Sequence, residues 1–117
     1  NNKKFKINNV CIKGMSCSLN SEVLNKYKRD KKSFNILLYH KPEGFKDLKE
    51  VPDLMLCGHT HGGLIFLLNY IIKWCYWYVC GLYKLKNFLL YVNPGTTLFG
   101  EYLRLGSHNE ATLFEIG

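Results

Sequence analysis

Three histidines carry the chemistry that this sequence offers. His59 and His61 stand in Gly58-His59-Thr60-His61-Gly62-Gly63, directly after the apolar run Leu54-Met55-Leu56-Cys57. A short apolar run closed by a turn signal reads as a buried strand. Residues i and i+2 of extended backbone point the same way, so both imidazoles should leave the strand end on one side. Neutral imidazoles converging there suit a divalent metal ion. A pair of surface loop histidines is the plainer alternative. The strand before them, and the glycines that let the chain bend around them, weigh toward the metal site.

His40 has a similar setting. It follows the apolar run Phe34-Asn35-Ile36-Leu37-Leu38-Tyr39 and precedes Lys41-Pro42. The proline forces the residue before it out of helical geometry, so His40 sits where strand becomes loop. Taken alone it would read as an ordinary turn histidine. Two apolar strands, joined by a loop or single helical turn over Glu43–Glu50, predict parallel neighbours. Functional groups of α/β sheets collect at the carboxyl ends of the strands. On this reading His40, His59 and His61 meet in one cleft.

Other elements must frame these strands. Phe5–Ile12 alternates loosely and predicts one strand near a sheet edge, ended by Gly14. Asn20-Ser21 can cap a short helix over Glu22–Arg29, with Val23, Leu24 and Tyr27 inward. Gly81–Asn87 reads as strand then turn, Phe88–Val92 as a strand, and Asn93-Pro94-Gly95 as a turn. Tyr102–Leu105 and Ala111–Ile116 predict two closing strands around a hairpin loop that leaves His108 on the surface.

The composition narrows the classes. A chain of 117 residues, 47% hydrophobic and 21% charged, is one small domain with a modest core, not a disordered segment. The net charge is +7, and the first 50 residues hold 12 basic and 5 acidic residues against 4 of each in the remainder. Such a basic half can face phosphate-rich partners or an anionic membrane, or it can be simply a solvated surface. No aromatic stacking platform accompanies the lysines, which counts against nucleic acid. The five cysteines, at 11, 17, 57, 75 and 80, form no C-x-x-C pair and read as reduced thiols of a cytosolic compartment. There is no apolar leader and no initiating Met, so the chain is expected to be a cut piece.

Leu64–Cys80 is aromatic and apolar, with Asn69 and Lys73 interrupting it. A spanning helix needs about 20 predominantly apolar residues, so no membrane span is assigned. Phe66, Tyr70, Trp74 and Tyr78 recur every four residues and would stripe one helical face. Two readings stay open, a stripe packed on the core and a surface at the membrane interface.

Leu38-Tyr39-His40-Lys41-Pro42, Gly58–Gly63 and Asn93-Pro94-Gly95-Thr96, in this order and spacing, resemble the C-terminal half of the calcineurin-like metallophosphoesterases. Gly81-Leu82-Tyr83, Tyr102-Leu103-Arg104 and Glu110–Phe114 resemble one branch in particular, that of bacterial membrane- or wall-associated phosphodiesterases and UDP-2,3-diacylglucosamine pyrophosphatase. The likeness runs from about Phe34 to Ile116 and is weakest over Leu64–Cys80.

The resemblance implies the C-terminal part of a layered two-sheet α/β sandwich. It implies phosphodiester or pyrophosphate hydrolysis at two divalent metal ions, with His40 and His59 on one ion and His61 on the other. Imidazole ligands favour Mn, Fe or Zn. The family's early Asp-x-His, its metal-bridging Gly-Asp and its Asn-His pair do not occur here in the required order. Residues 1–117 are therefore expected to be the C-terminal portion of one domain, with an aromatic-rich insertion at about 64–80. This piece would hold no catalytic acid or base, would be inactive alone, and would need the N-terminal half as partner. The expected substrate is a phosphate ester, lipid-linked where the aromatic run meets a membrane. The expected location is cytoplasmic and peripheral on that membrane. The alternative is a non-catalytic membrane-associated or partner-binding module built on a degenerate half.

Overall fold

The computed structural model describes residues 2–17, 21–62, 77–96 and 108–116. They build one mixed sheet of six strands: β1 (Lys3–Ile7), β2 (Val10–Gly14), β3 (Phe34–Leu38), β4 (Leu54–Cys57), β5 (Gly81–Lys84) and β6 (Leu89–Val92). The order across the sheet is β1-β2-β3-β4-β6-β5. The four central strands run parallel, and the outer strands β1 and β5 are antiparallel to their neighbours. This is an α/β-type arrangement, and it fits the calcineurin-like fold.

The sheet places its residues by simple alternation. On one face Leu37, Tyr39, Met55, Cys57, Leu90 and Val92 pack with Leu24 and Tyr27 into the main core. On the other face Ile36, Leu54 and Tyr91 are buried, and Val10, Ile12, Phe34, Leu56, Leu89 and Phe114 pack partly around them. Near the margins of that second face Phe5, Ile7, Leu38 and Leu82 remain exposed. At 41% to 64% exposure they prolong an apolar face that the described residues leave thinly covered.

Several elements differ from expectation. Phe5–Ile12 is not one strand but parts of two, turned at Asn8-Asn9 with Asn8 at φ 50°. Asn tolerates the left-handed region, and β1 is exposed along its whole length, so no buried pattern marks where it ends. The expected helix over Glu22–Arg29 is a 3₁₀ helix, Ser21–Lys26, which still carries Leu24 inward. The connection after His40 holds one 3₁₀ turn, Phe45–Asp47.

Ala111–Ile116 forms no strand. Its side chains hold it instead: the Thr112 hydroxyl meets the Tyr91 hydroxyl at 2.7 Å and accepts from Asn93 Nδ2 at 3.0 Å, while Phe114 stacks edge-on to Tyr91. Tyr102–Leu105 and most of Leu64–Cys80 lie outside the described residues, which build one sheet of the two expected.

Candidate functional site

β3 and β4 are adjacent and parallel, in the register Ile36↔Leu54 to Leu38↔Leu56. The ladder continues past both strands: Tyr39 N donates to Leu56 O at 3.1 Å and Gly58 N donates to His40 O at 3.0 Å. His40 and the loop after Cys57 are thus tied at the same carboxyl edge. β6 extends that edge, with Asn93 N donating to Cys57 O at 2.8 Å and Asn93 Oδ1 accepting from Gly95 N at 2.6 Å.

The histidine loop is bent by the histidines themselves. His59 has φ 74° and His61 has φ 49°, with Gly62 next at φ 65°. Left-handed backbone costs a side-chain-bearing residue roughly 1–2 kcal/mol, so it persists only where the surroundings hold it. Thr60 does much of the holding. It is buried, its hydroxyl donates to the Val79 carbonyl, and its N–H donates to Gly58 O at 3.0 Å. Gly58 lies near the Asn93 carbonyl, and a Cβ there would stand at an ordinary 3.8 Å from it.

His59 Nδ1 stands 3.1 Å from His40 Nε2, the rings crossing at 72°. Two nitrogens bound to one ion at about 2.0–2.1 Å would stand roughly 2.9–3.4 Å apart, from right-angled to tetrahedral geometry. The observed separation fits that range. Without an ion the same approach is a hydrogen bond between the donor nitrogen of one neutral ring and the acceptor of the other. Burial, and then the His40 ring beside it, lowers the pKa of His59. Both effects favour the neutral imidazole, which is the form that binds metal.

His61 lies two residues on, with Nδ1 shielded from solvent. Among the described residues no group of three or more His, Cys, Asp or Glu side chains converges to hold a metal ion. The structure brings His40 and His59 together, and His61 follows two residues on in the same left-handed loop. Cys57, beside them in sequence, is a core thiol pushed up to about 12 by burial, with Sγ donating to Lys41 O at 3.4 Å. His108 is exposed, as expected. An open cavity of about 500 Å³ is lined by His40, Gly58, Tyr39, Cys57, Met15 and Ser16. Met15 and Ser16 are marked in the sequence by nothing but the Gly14 that ends β2.

Known proteins share this stretch. Over 81 residues the chain is 40% identical to a transmembrane protein with metallophosphoesterase domain from Danio rerio, covering 66% of this chain and 18% of that protein. A bovine protein of the same name, from Bos taurus, is 43% identical over the same shares. An uncharacterized metallophosphoesterase of Helicobacter pylori is 40% identical over 86 residues, 71% of this chain and 23% of that protein.

The chain belongs to the metallophosphoesterase family.

It spans 18% to 23% of the length of these metallophosphoesterase relatives. No family model and no solved structure matches it.

Proposed function

We propose that this chain is the C-terminal portion of a phosphoesterase domain that hydrolyses a phosphodiester or pyrophosphate with divalent metal ions. The observation that carries the reading is the 3.1 Å approach of His40 Nε2 and His59 Nδ1 at the ends of adjacent parallel strands. His40 and His59 would hold one ion and His61 a second, with Mn, Fe or Zn favoured by imidazole donors. When bound, such ions supply charge stabilisation for the phosphoryl oxygens and an activated water. The chain's own share is positional. The ladder bonds at Tyr39 and Gly58 fix the two rings in register, and Thr60 holds the left-handed loop against Val79.

Neutral imidazoles alone do not offset divalent charge, so carboxylate ligands must come from outside the described residues. The thinly covered second face of the sheet supports the same reading, because an apolar face of this extent is normally buried by another layer. The second reading is a non-catalytic membrane-associated or partner-binding module built on the same half-domain. Two relatives are named as transmembrane proteins. Among the described residues no helix is long and apolar enough to cross a membrane. Trp77, 91% exposed at the end of the aromatic run, supports peripheral membrane contact and a lipid-linked substrate.

The test is hydrolysis of bis-p-nitrophenyl phosphate with added Mn²⁺ by the full-length protein and by residues 1–117 alone. The expected result is turnover by the full-length protein that His59→Ala abolishes, and none by the short chain. Robust His59-dependent turnover by residues 1–117 would refute the incomplete-domain reading. No turnover by the full-length protein with Mn²⁺, nor when Fe²⁺ or Zn²⁺ replaces it, would favour the non-catalytic module.

A further inference from the structure

Residues 78–80 touch the connections that follow both histidine-bearing strands. On one side the Thr60 hydroxyl, between His59 and His61, donates to the Val79 carbonyl. Both residues are buried, so water does not compete for that bond. On the other side the Tyr78 ring meets Phe45 edge-on, with centroids 5.5 Å apart. Phe45 opens the 3₁₀ turn in the connection after His40. One short segment thus contacts the loop that carries His59 and the loop that leaves His40.

That segment is in turn fixed by Tyr83 of β5. The Tyr83 hydroxyl accepts from Val79 N at 3.3 Å and from Cys80 N at 3.4 Å, and donates to the Cys80 carbonyl at 2.9 Å. Its ring packs edge-on against Tyr78 at 4.9 Å. The Cys80 N–H and the Val79 carbonyl belong to one planar trans peptide, so they point in opposite directions. Holding the N–H at Tyr83 therefore aims the carbonyl away from Tyr83, and it is the carbonyl that Thr60 binds.

We propose that Tyr83 and Thr60 are positioning residues for the histidine pair. Tyr83 aims the Val79 carbonyl, that carbonyl anchors Thr60, and Thr60 keeps His59 at its left-handed φ of 74° with Nδ1 beside His40. A histidine released from this tie relaxes toward ordinary backbone and carries its ring away from the shared position. The inference rests on the reading of His40 and His59 as ligands of one ion. Groups that orient ligands without touching the ion typically change metal affinity by about 10–100-fold.

The test is titration of Mn²⁺ into chelator-stripped full-length protein, followed by calorimetry, with thermal melts of the metal-free forms alongside. Thr60→Val keeps the shape of the side chain and removes its hydroxyl, and should weaken binding by about tenfold. Thr60→Ser keeps the donor and should bind as wild type does. Tyr83→Phe keeps the ring against Tyr78 and should weaken binding severalfold. Both changes act through the Val79 carbonyl, so the Thr60→Val/Tyr83→Phe variant should lose clearly less than the two losses combined. A purely structural role would lower melting temperatures and leave the metal affinity of the folded protein unmoved, which overturns the proposal. Binding by Thr60→Ser as weak as by Thr60→Val overturns it too, and so does full additivity of the two losses. Where Thr60→Val does not fold, Tyr83→Phe against wild type decides. His59→Ala separates the two readings. If it leaves affinity unchanged, the histidine site itself fails and this inference with it. If it weakens binding while Thr60→Val and Tyr83→Phe do not, only the positioning role fails.

Discussion

The two ends of the β3–β4 pair differ in how their polar groups are settled. At the amino end Asn35 is fully buried and well bonded: Nδ2 donates to Asp30 O at 2.9 Å and to Ser33 O at 2.5 Å, and Oδ1 accepts from Asp30 N at 2.8 Å. Asp53 spans the same end, accepting from Asn35 N at 2.8 Å and from Arg29 Nη2 at 2.7 Å. The Arg29 backbone N–H, and then Lys28, hold the Glu50 carboxyl below its usual range. At the carboxyl end the backbone is left-handed at His59 and His61, and two imidazole nitrogens face each other at 3.1 Å. One end uses its polar groups to fix the fold. The other sets two imidazole nitrogens against each other beside left-handed, side-chain-bearing backbone.

The contrast can be broken at its stable end first. Asn35→Ala should destabilise the chain by about 3 kcal/mol, three bonds at roughly 1 kcal/mol each, as read from denaturant midpoints. Asp53→Ala should cost about 1–2 kcal/mol, because Arg29 is partly exposed and its pair is screened. Neither should alter the pairing of His40 with His59 in whatever fraction stays folded.

At the cleft end the effects on stability should be small and of unusual sign. His61→Gly removes a left-handed side chain, and should stabilise the fold by up to about 1 kcal/mol while weakening metal binding. A gain in stability with unchanged metal affinity would remove His61 from the site. The smallest effect concerns pH. Because the folded protein holds the His59 pKa below its ordinary value of 6.5, the unfolded chain binds a proton first as pH falls. Stability should therefore be full above about 6.5 and decline as pH drops below it, until the folded value is reached. Melts in chelator across that window should show the decline in wild type and a shallower one in His59→Ala.

The strand-then-histidine pattern was legible because β3 and β4 are buried and bounded by clear turn signals. Their parallel pairing followed from the connection between them. The β1–β2 hairpin was not legible, since lysines and apolar residues alternate across it without a buried face to mark a register. The strand expected at Ala111–Ile116 failed because β-propensity there is served by side-chain contacts to Tyr91 and Asn93, with no ladder partner among the described residues. The close His40–His59 contact was readable only as a shared edge. The left-handed backbone at His59 and His61, and the Thr60 tie to Val79, depend on tertiary contacts that no local pattern announces.

We infer that His40 and His59 hold the same ion. It is tested most directly by titrating Zn²⁺ or Mn²⁺ into chelator-stripped full-length protein as wild type, His40→Ala, His59→Ala and the double variant. Each single change should weaken one binding event by at least about tenfold, and the double change should add far less than the two losses combined. Full additivity of the two losses, or an affinity unmoved by either change, would contradict it.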